Sequence, residues 1–75
     1  MPQRKKKNAK FGAGVRRVRV EQGYPQEAFA AHAGLDRSYY GAIERGEFNV
    51  SLSTLEKLAA GLGMKPSELL ARAGL

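Results

Sequence analysis

The chain has no cysteine and no tryptophan, one histidine and three prolines. Without cysteine there is neither a disulfide framework nor a thiolate metal site, and a single histidine, His32, excludes a multi-histidine zinc site. No apolar run approaches the roughly 20 residues of a membrane span. The basic start, Met1 to Lys7, is not followed by the apolar segment of a signal peptide, so the expected compartment is the cytoplasm. Alternation of period two is nowhere sustained, which argues against a sheet. At 75 residues the chain is one small domain. A domain of this size buries only roughly 60% of its unfolded surface, so its core must be compact and helical or be completed by a partner.

Acidic residues are scarce at one end. Residues 1–19 hold eight Lys or Arg and no acid, whereas residues 20–75 hold five bases and seven acids. The net charge of +6 and the pI near 10.1 therefore come from the amino-terminal part. Such an excess points to a polyanionic partner, above all nucleic acid. The remainder has to recognise that partner by shape and placed contacts.

Residues 1–8 carry the Arg4, Lys5, Lys6, Lys7 run and no apolar anchor beyond Met1, and are expected to form a disordered basic arm, with residues 9–75 as the folded domain. From Ala9 a helix is expected, with Phe11, Val15 and Val18 on one face. Gly12 and Gly14 weaken it by helix propensity, and Gly23-Tyr24-Pro25 stops it. A second helix, Gln26 to Ala33, is Ala-rich around Phe29 and ends at Gly34. Asp36 can cap a third from about Arg37 to Arg45. Ser51 or Ser53 can cap a fourth, whose Leu52, Leu55, Leu58, Ala59 and Leu62 share a face. Pro66 opens a short fifth helix with Leu69 and Leu70. The expected fold is all-α, a compact five-helix bundle.

Residues 26–45 carry the informative spacing. With Gln26 as the first of twenty, the fifth is small (Ala30), the ninth is Gly34, and apolar side chains fill places 4, 8, 10, 15 and 18 (Phe29, Ala33, Leu35, Tyr40, Ile43). Two helices crossing steeply over a short turn need a small residue at the crossing and a positive φ in the turn. That is the pattern of a helix-turn-helix at helices two and three. Together with Val15-Arg16-Arg17-Val18-Arg19, Ile43-Glu44-Arg45-Gly46 and Asn49-Val50-Ser51-Leu52, the stretch Phe11 to Leu70 resembles the lambda-repressor-like, Cro/C1-type helix-turn-helix domain, the XRE family. Within that family, Gly34-Leu35-Asp36-Arg37-Ser38-Tyr39 and Glu44-Arg45-Gly46 resemble the small controller proteins of restriction–modification systems. The chain departs from the family pattern at Pro25, which stands where a capping Ser or Thr is usual, and at the bulky Phe29 and Tyr40.

The resemblance implies a transcriptional regulator that binds a two-fold symmetric operator in double-stranded DNA as a homodimer, with no reaction, no cofactor and no small-molecule ligand. It places Arg37, Ser38 and Ala42 at base edges, where Arg37 either reads guanine with two hydrogen bonds or touches only phosphate. Gly41 and Ala42 offer no polar reach, so the deformability of the DNA is expected to carry part of the selectivity. Gln26 is the expected phosphate contact of the family, and Tyr39, Arg45 and Asn49 are further candidates, although Tyr39 can instead pack on the domain surface and Arg45 merely complement the helix C-terminus. Arg4, Lys5, Lys6, Lys7 and Lys10 are expected to add non-specific help. Arg19 and Glu44 are expected to form a structural ion pair, which explains an acid in a helix that approaches a polyanion. Leu69, Leu70 and Leu75 are the expected dimer surface, one of the first two closing the monomer core instead. A protein-binding adaptor or antitoxin-like module on the same fold is the competing reading. It would not need Arg37 or Gln26 facing outward. His32 has no partner at ligand spacing and is expected to lie at the surface or half-buried without a functional role, and no catalytic constellation is present.

Overall fold

In a computed structural model, residues 6–75 are described. They form five helices in chain order: α1 (Lys6–Glu21), α2 (Gln26–Ala33), α3 (Arg37–Glu44), α4 (Leu52–Gly61) and α5 (Pro66–Arg72). No strand occurs among the described residues. Helix α1 starts at Lys6, three residues before the expected Ala9, so Lys6, Lys7 and Asn8 belong to the helix and not to a disordered arm. Lysine is a good helix former, and the buried Phe11, Val15 and Val18 anchor the turns that follow. Arg4 and Lys5 lie outside the described residues.

The local stop and start signals act where the sequence places them. Gly34 ends α2 with φ 75°, and its N–H donates to the Ala31 carbonyl while that of Leu35 donates to Ala30. Asp36 follows at once as the cap of α3, its carboxylate accepting from the Tyr39 N–H at 3.1 Å. Of the two serines, Ser51 caps α4, accepting from the Thr54 N–H at 3.1 Å. Pro25 precedes α2 in extended conformation and gives it no side-chain cap.

The core gathers one face of every helix: Phe11, Val15 and Val18 from α1, Phe29, Ala30 and Ala33 from α2, Tyr40 and Ile43 from α3, Leu55, Leu58 and Ala59 from α4, and Leu69 from α5. Phe29 lies at its centre, tilted against Tyr40 at 5.2 Å and edge-on to Tyr24 at 5.4 Å. His32 stacks on Tyr24 at 5.2 Å and hydrogen-bonds through Nε2 to the Gly61 carbonyl, so its role is structural. Leu52 departs from the expectation. As the first residue of α4, beyond the reach of the core, it is 79% exposed.

Gly12 and Gly14 are not merely weak points of α1. A Cβ on Gly12 would lie 2.3 Å from the Ile43 carbonyl oxygen, and one on Gly14 2.6 Å from the Ala73 Cβ. Their absent side chains let α3 and the end of α5 press directly on the α1 backbone. Gly12→Ala should therefore lower stability by about 1–3 kcal/mol, as overpacking does, although helix propensity alone would raise it by up to about 1 kcal/mol. Urea unfolding monitored by helix content decides the sign.

Candidate nucleic-acid interface

The open side of the α2–α3 pair is a shallow polar groove lined by Gln26, Arg37, Ser38, Gly41 and Arg45. The helical period explains the set, because Arg37 or Ser38, Gly41 and Arg45 follow one another a turn apart along α3. Arg37 and Ser38 are exposed at the start of the helix, and Gln26 enters from the first position of α2.

Ala42 does not belong to this surface. It is 5% exposed, and its carbonyl accepts from the Glu47 N–H at 3.0 Å where the chain leaves α3. The expected base contact at Ala42 is corrected accordingly, and Gly41 is the residue of that pair that lines the groove. Tyr39 is half-buried and packs against Phe48 with ring centroids 5.6 Å apart, which leaves Asn49 exposed beside it on the following loop.

Arg37 and Arg45 each meet a carboxylate. Arg37 Nη2 lies 3.2 Å from Glu27 Oε1 across the turn, and Arg45 Nε donates to Glu47 Oε2 at 2.7 Å. The hydrogen bond to Glu47 holds the Arg45 guanidinium above its ordinary pKa.

Beneath the groove lies the expected Arg19–Glu44 pair, and more than a pair. Arg19 grips the carboxylate with two bonds, Nε to Oε2 at 2.6 Å and Nη2 to Oε1 at 3.1 Å, while its Nη1 donates to the Tyr24 carbonyl at 2.7 Å. Gln26 Nε2 donates to Glu44 Oε1 at 3.0 Å and the Tyr40 hydroxyl donates to Glu44 Oε2. The two charged side chains are only 9% and 4% exposed. Burial alone would push the Glu44 carboxyl up, but donation from Arg19, Tyr40 and Gln26 outweighs it and holds the pKa below the ordinary value. Burial, and then the bond to Glu44, pushes the Tyr40 phenol up. The bond to Glu44 likewise raises Arg19. The Tyr40 contribution had a sequence signal, the i, i+4 spacing to Glu44. The Gln26 bond had none, since it depends on how α2 sits over the end of α3.

The profile of the helix-turn-helix family matches residues 15–69. The chain belongs to the helix-turn-helix family. This family is one of transcription regulators and not of enzymes. Among its relatives, the control protein C.MunI of a Mycoplasma species is 51% identical over 80% of this chain and 82% of its own length. The control protein C.BamHI of Bacillus amyloliquefaciens is 43% identical over 80% of this chain and 75% of its own. Among solved structures, the restriction-modification controller protein C.AhdI of Aeromonas hydrophila superposes with a TM-score of 0.79 at 48% identity, covering 83% of this chain and 94% of that one. Among the described residues of this helix-turn-helix protein, no helix is long and apolar enough to cross a membrane.

The buried pair gives a stability test with a defined pH sign. Glu44→Gln leaves the Arg19 charge buried without its counter-ion and should cost about 3–5 kcal/mol. In the native protein the Glu44 carboxyl titrates below its ordinary value of 4.5, so its contribution is complete above that pH and is lost as pH falls through the lower folded value. Denaturation midpoints of the unaltered chain should thus decline below pH 4.5 more steeply than those of Glu44→Gln.

Proposed function

We propose that this helix-turn-helix protein is a sequence-specific regulator of transcription that binds a two-fold symmetric DNA operator as a homodimer and controls the genes of a restriction–modification system. One observation carries the reading: a groove along α3 presents Arg37 and Ser38 outward at the start of the helix, and the helix itself is held in place by the buried Glu44 cluster. The similarity to named control proteins supports the restriction–modification assignment.

In this reading α3 enters the major groove by its amino-terminal end. Arg37 donates twice to guanine O6 and N7, and Ser38 meets the neighbouring base. Gln26, at the uncapped start of α2, turns its remaining amide hydrogen and the first-turn N–H groups toward a phosphate. Arg45, Tyr39 and Asn49 contact the backbone on either side. Lys6, Lys7 and Lys10, exposed on α1, add salt-dependent attraction without sequence preference.

Dimerisation falls to a cleft of about 350 Å³ lined by Lys7, Asn8, Phe11, Phe48, Asn49, Val50, Leu55, Leu70 and Leu75. Of Leu69 and Leu70, Leu69 is the one that closes the monomer core, fully buried, and so leaves the expected dimer surface. Leu70 is half-buried, whereas Leu75 is 50% exposed and Phe48 is exposed beside it, an apolar patch that a second copy can cover. A two-fold symmetric operator requires the two copies to set their recognition helices about 34 Å apart on one face of the duplex.

Selection of sites from a random duplex library tests the whole reading. A two-fold symmetric site is the expected result, and failure to enrich any site would favour the protein-binding alternative. On the selected site, Arg37→Ala should cost about 1–3 kcal/mol and relax choice at one base pair per half-site. Arg45→Ala should weaken all sequences alike and reduce the salt slope by about one. Leu70→Ala combined with Leu75→Ser should yield monomers by light scattering with helix content unchanged; a persistent dimer would place the interface elsewhere.

A further inference from the structure

The Glu27–Arg37 pair has no evident structural purpose. Each side chain is 68% exposed, and exposed pairs of this kind add little to stability. It also places a carboxylate beside the groove that faces a polyanion, where a charge of that sign opposes binding to any phosphate backbone. Yet the pair joins the second residue of α2 to the first residue of α3, directly across the turn, with Arg37 Nη2 3.2 Å from Glu27 Oε1. Arg37 lines both the polar groove along α3 and a neighbouring depression formed by Pro25, Gln26, Glu27 and Ala28.

We propose that Glu27 is a positioning residue that sets the base selectivity of Arg37. The proposal rests on the guanine-reading role given to Arg37 above. A guanidinium carries five N–H donors, so the ion-pair contact of Nη2 with Glu27 leaves enough for the two hydrogen bonds that guanine O6 and N7 accept. Tethered, the long arginine side chain loses less freedom when it meets a guanine in the right place. It is also held back from the phosphates, which an unrestrained arginine can reach on any sequence. The carboxylate thus weakens binding to the wrong DNA as well as orienting the arginine for the right one. Glu27 also stands in the first turn of α2, where a negative charge favours the helix. That structural effect would alter stability without altering base choice.

Glu27→Gln keeps the side-chain shape and removes the charge. Dissociation constants are to be measured on the selected operator, on the operator substituted at the base read by Arg37, and on random duplex, at two salt concentrations, with thermal melts to confirm folding. Discrimination at that base should fall about fivefold, within what the coupling of an exposed pair can sustain. Random duplex should be bound more tightly, with a salt slope steeper by about one as Arg37 gains a phosphate. In an Arg37→Ala background, Glu27→Gln should leave base choice unchanged. Equal tightening on operator and random duplex with discrimination intact would overturn the positioning role and leave Glu27 a repulsive charge. If Arg37→Ala itself leaves base choice intact, the guanine-reading assignment and the positioning role both fall.

Discussion

A single carboxylate, Glu44 at the last position of α3, receives hydrogen bonds from three other side chains: Arg19 of α1, Gln26 of α2 and Tyr40 of α3 itself. Arg19 is tied in turn to the Tyr24 carbonyl in the segment that joins α1 to α2. Burying two charges is expensive, and the attraction between them repays that cost only when their remaining donors and acceptors are satisfied. Here they are, and no buried side-chain nitrogen or oxygen among the described residues lacks a partner. The gain lies less in net stability than in geometry. An apolar contact tolerates a slide of α3, whereas a two-pronged bond to a guanidinium does not.

The backbone beside this cluster obeys the same constraint. Gly12 brings the α1 backbone against the carbonyls of Ile43 and Glu44, so the residue before Glu44 and Glu44 itself are both fixed from the α1 side. Gly46, with φ +76°, lets the chain leave α3 close over Ala9. The polar clamp and the close approach act together to hold α3 rigidly while Arg37, Ser38 and Arg45 stay exposed along the groove, with buried Gly41 at its floor.

Charge is divided along the molecule. The amino-terminal part has a strong excess of bases, while the groove along α3 pairs each of its arginines with a glutamate, Glu27 or Glu47. In the proposed DNA-binding reading, long-range attraction and local reading then fall to different segments. An unpaired cationic groove would bind every duplex alike, since phosphate contact carries no sequence information.

Most of the fold was legible in the sequence because its signals are local. A glycine that permits positive φ (Gly34), a carboxylate three residues before an N–H (Asp36 to Tyr39) and a 3.6-residue apolar period act within one or two turns, and the helix-turn-helix spacing merely combines them. The Arg19–Glu44 pair was reached by family resemblance, and the structure adds Gln26, Tyr40 and the Tyr24 carbonyl to it. What periodicity could not say is which side of a short helix its neighbours cover. Ala42 lies inward and Leu52 outward for that reason, against their expected places, and the same limit left open which of Leu69 and Leu70 closes the core. So the sequence by itself determined the helices, their caps, the motif and the charge gradient, all set by interactions between residues close along the chain. Only the tertiary structure decided which glycines serve close approach, which carboxylate holds which arginine and which leucines remain at the surface. Those depend on contacts between helices far apart in sequence, and no local pattern encodes the distance at which two helices meet.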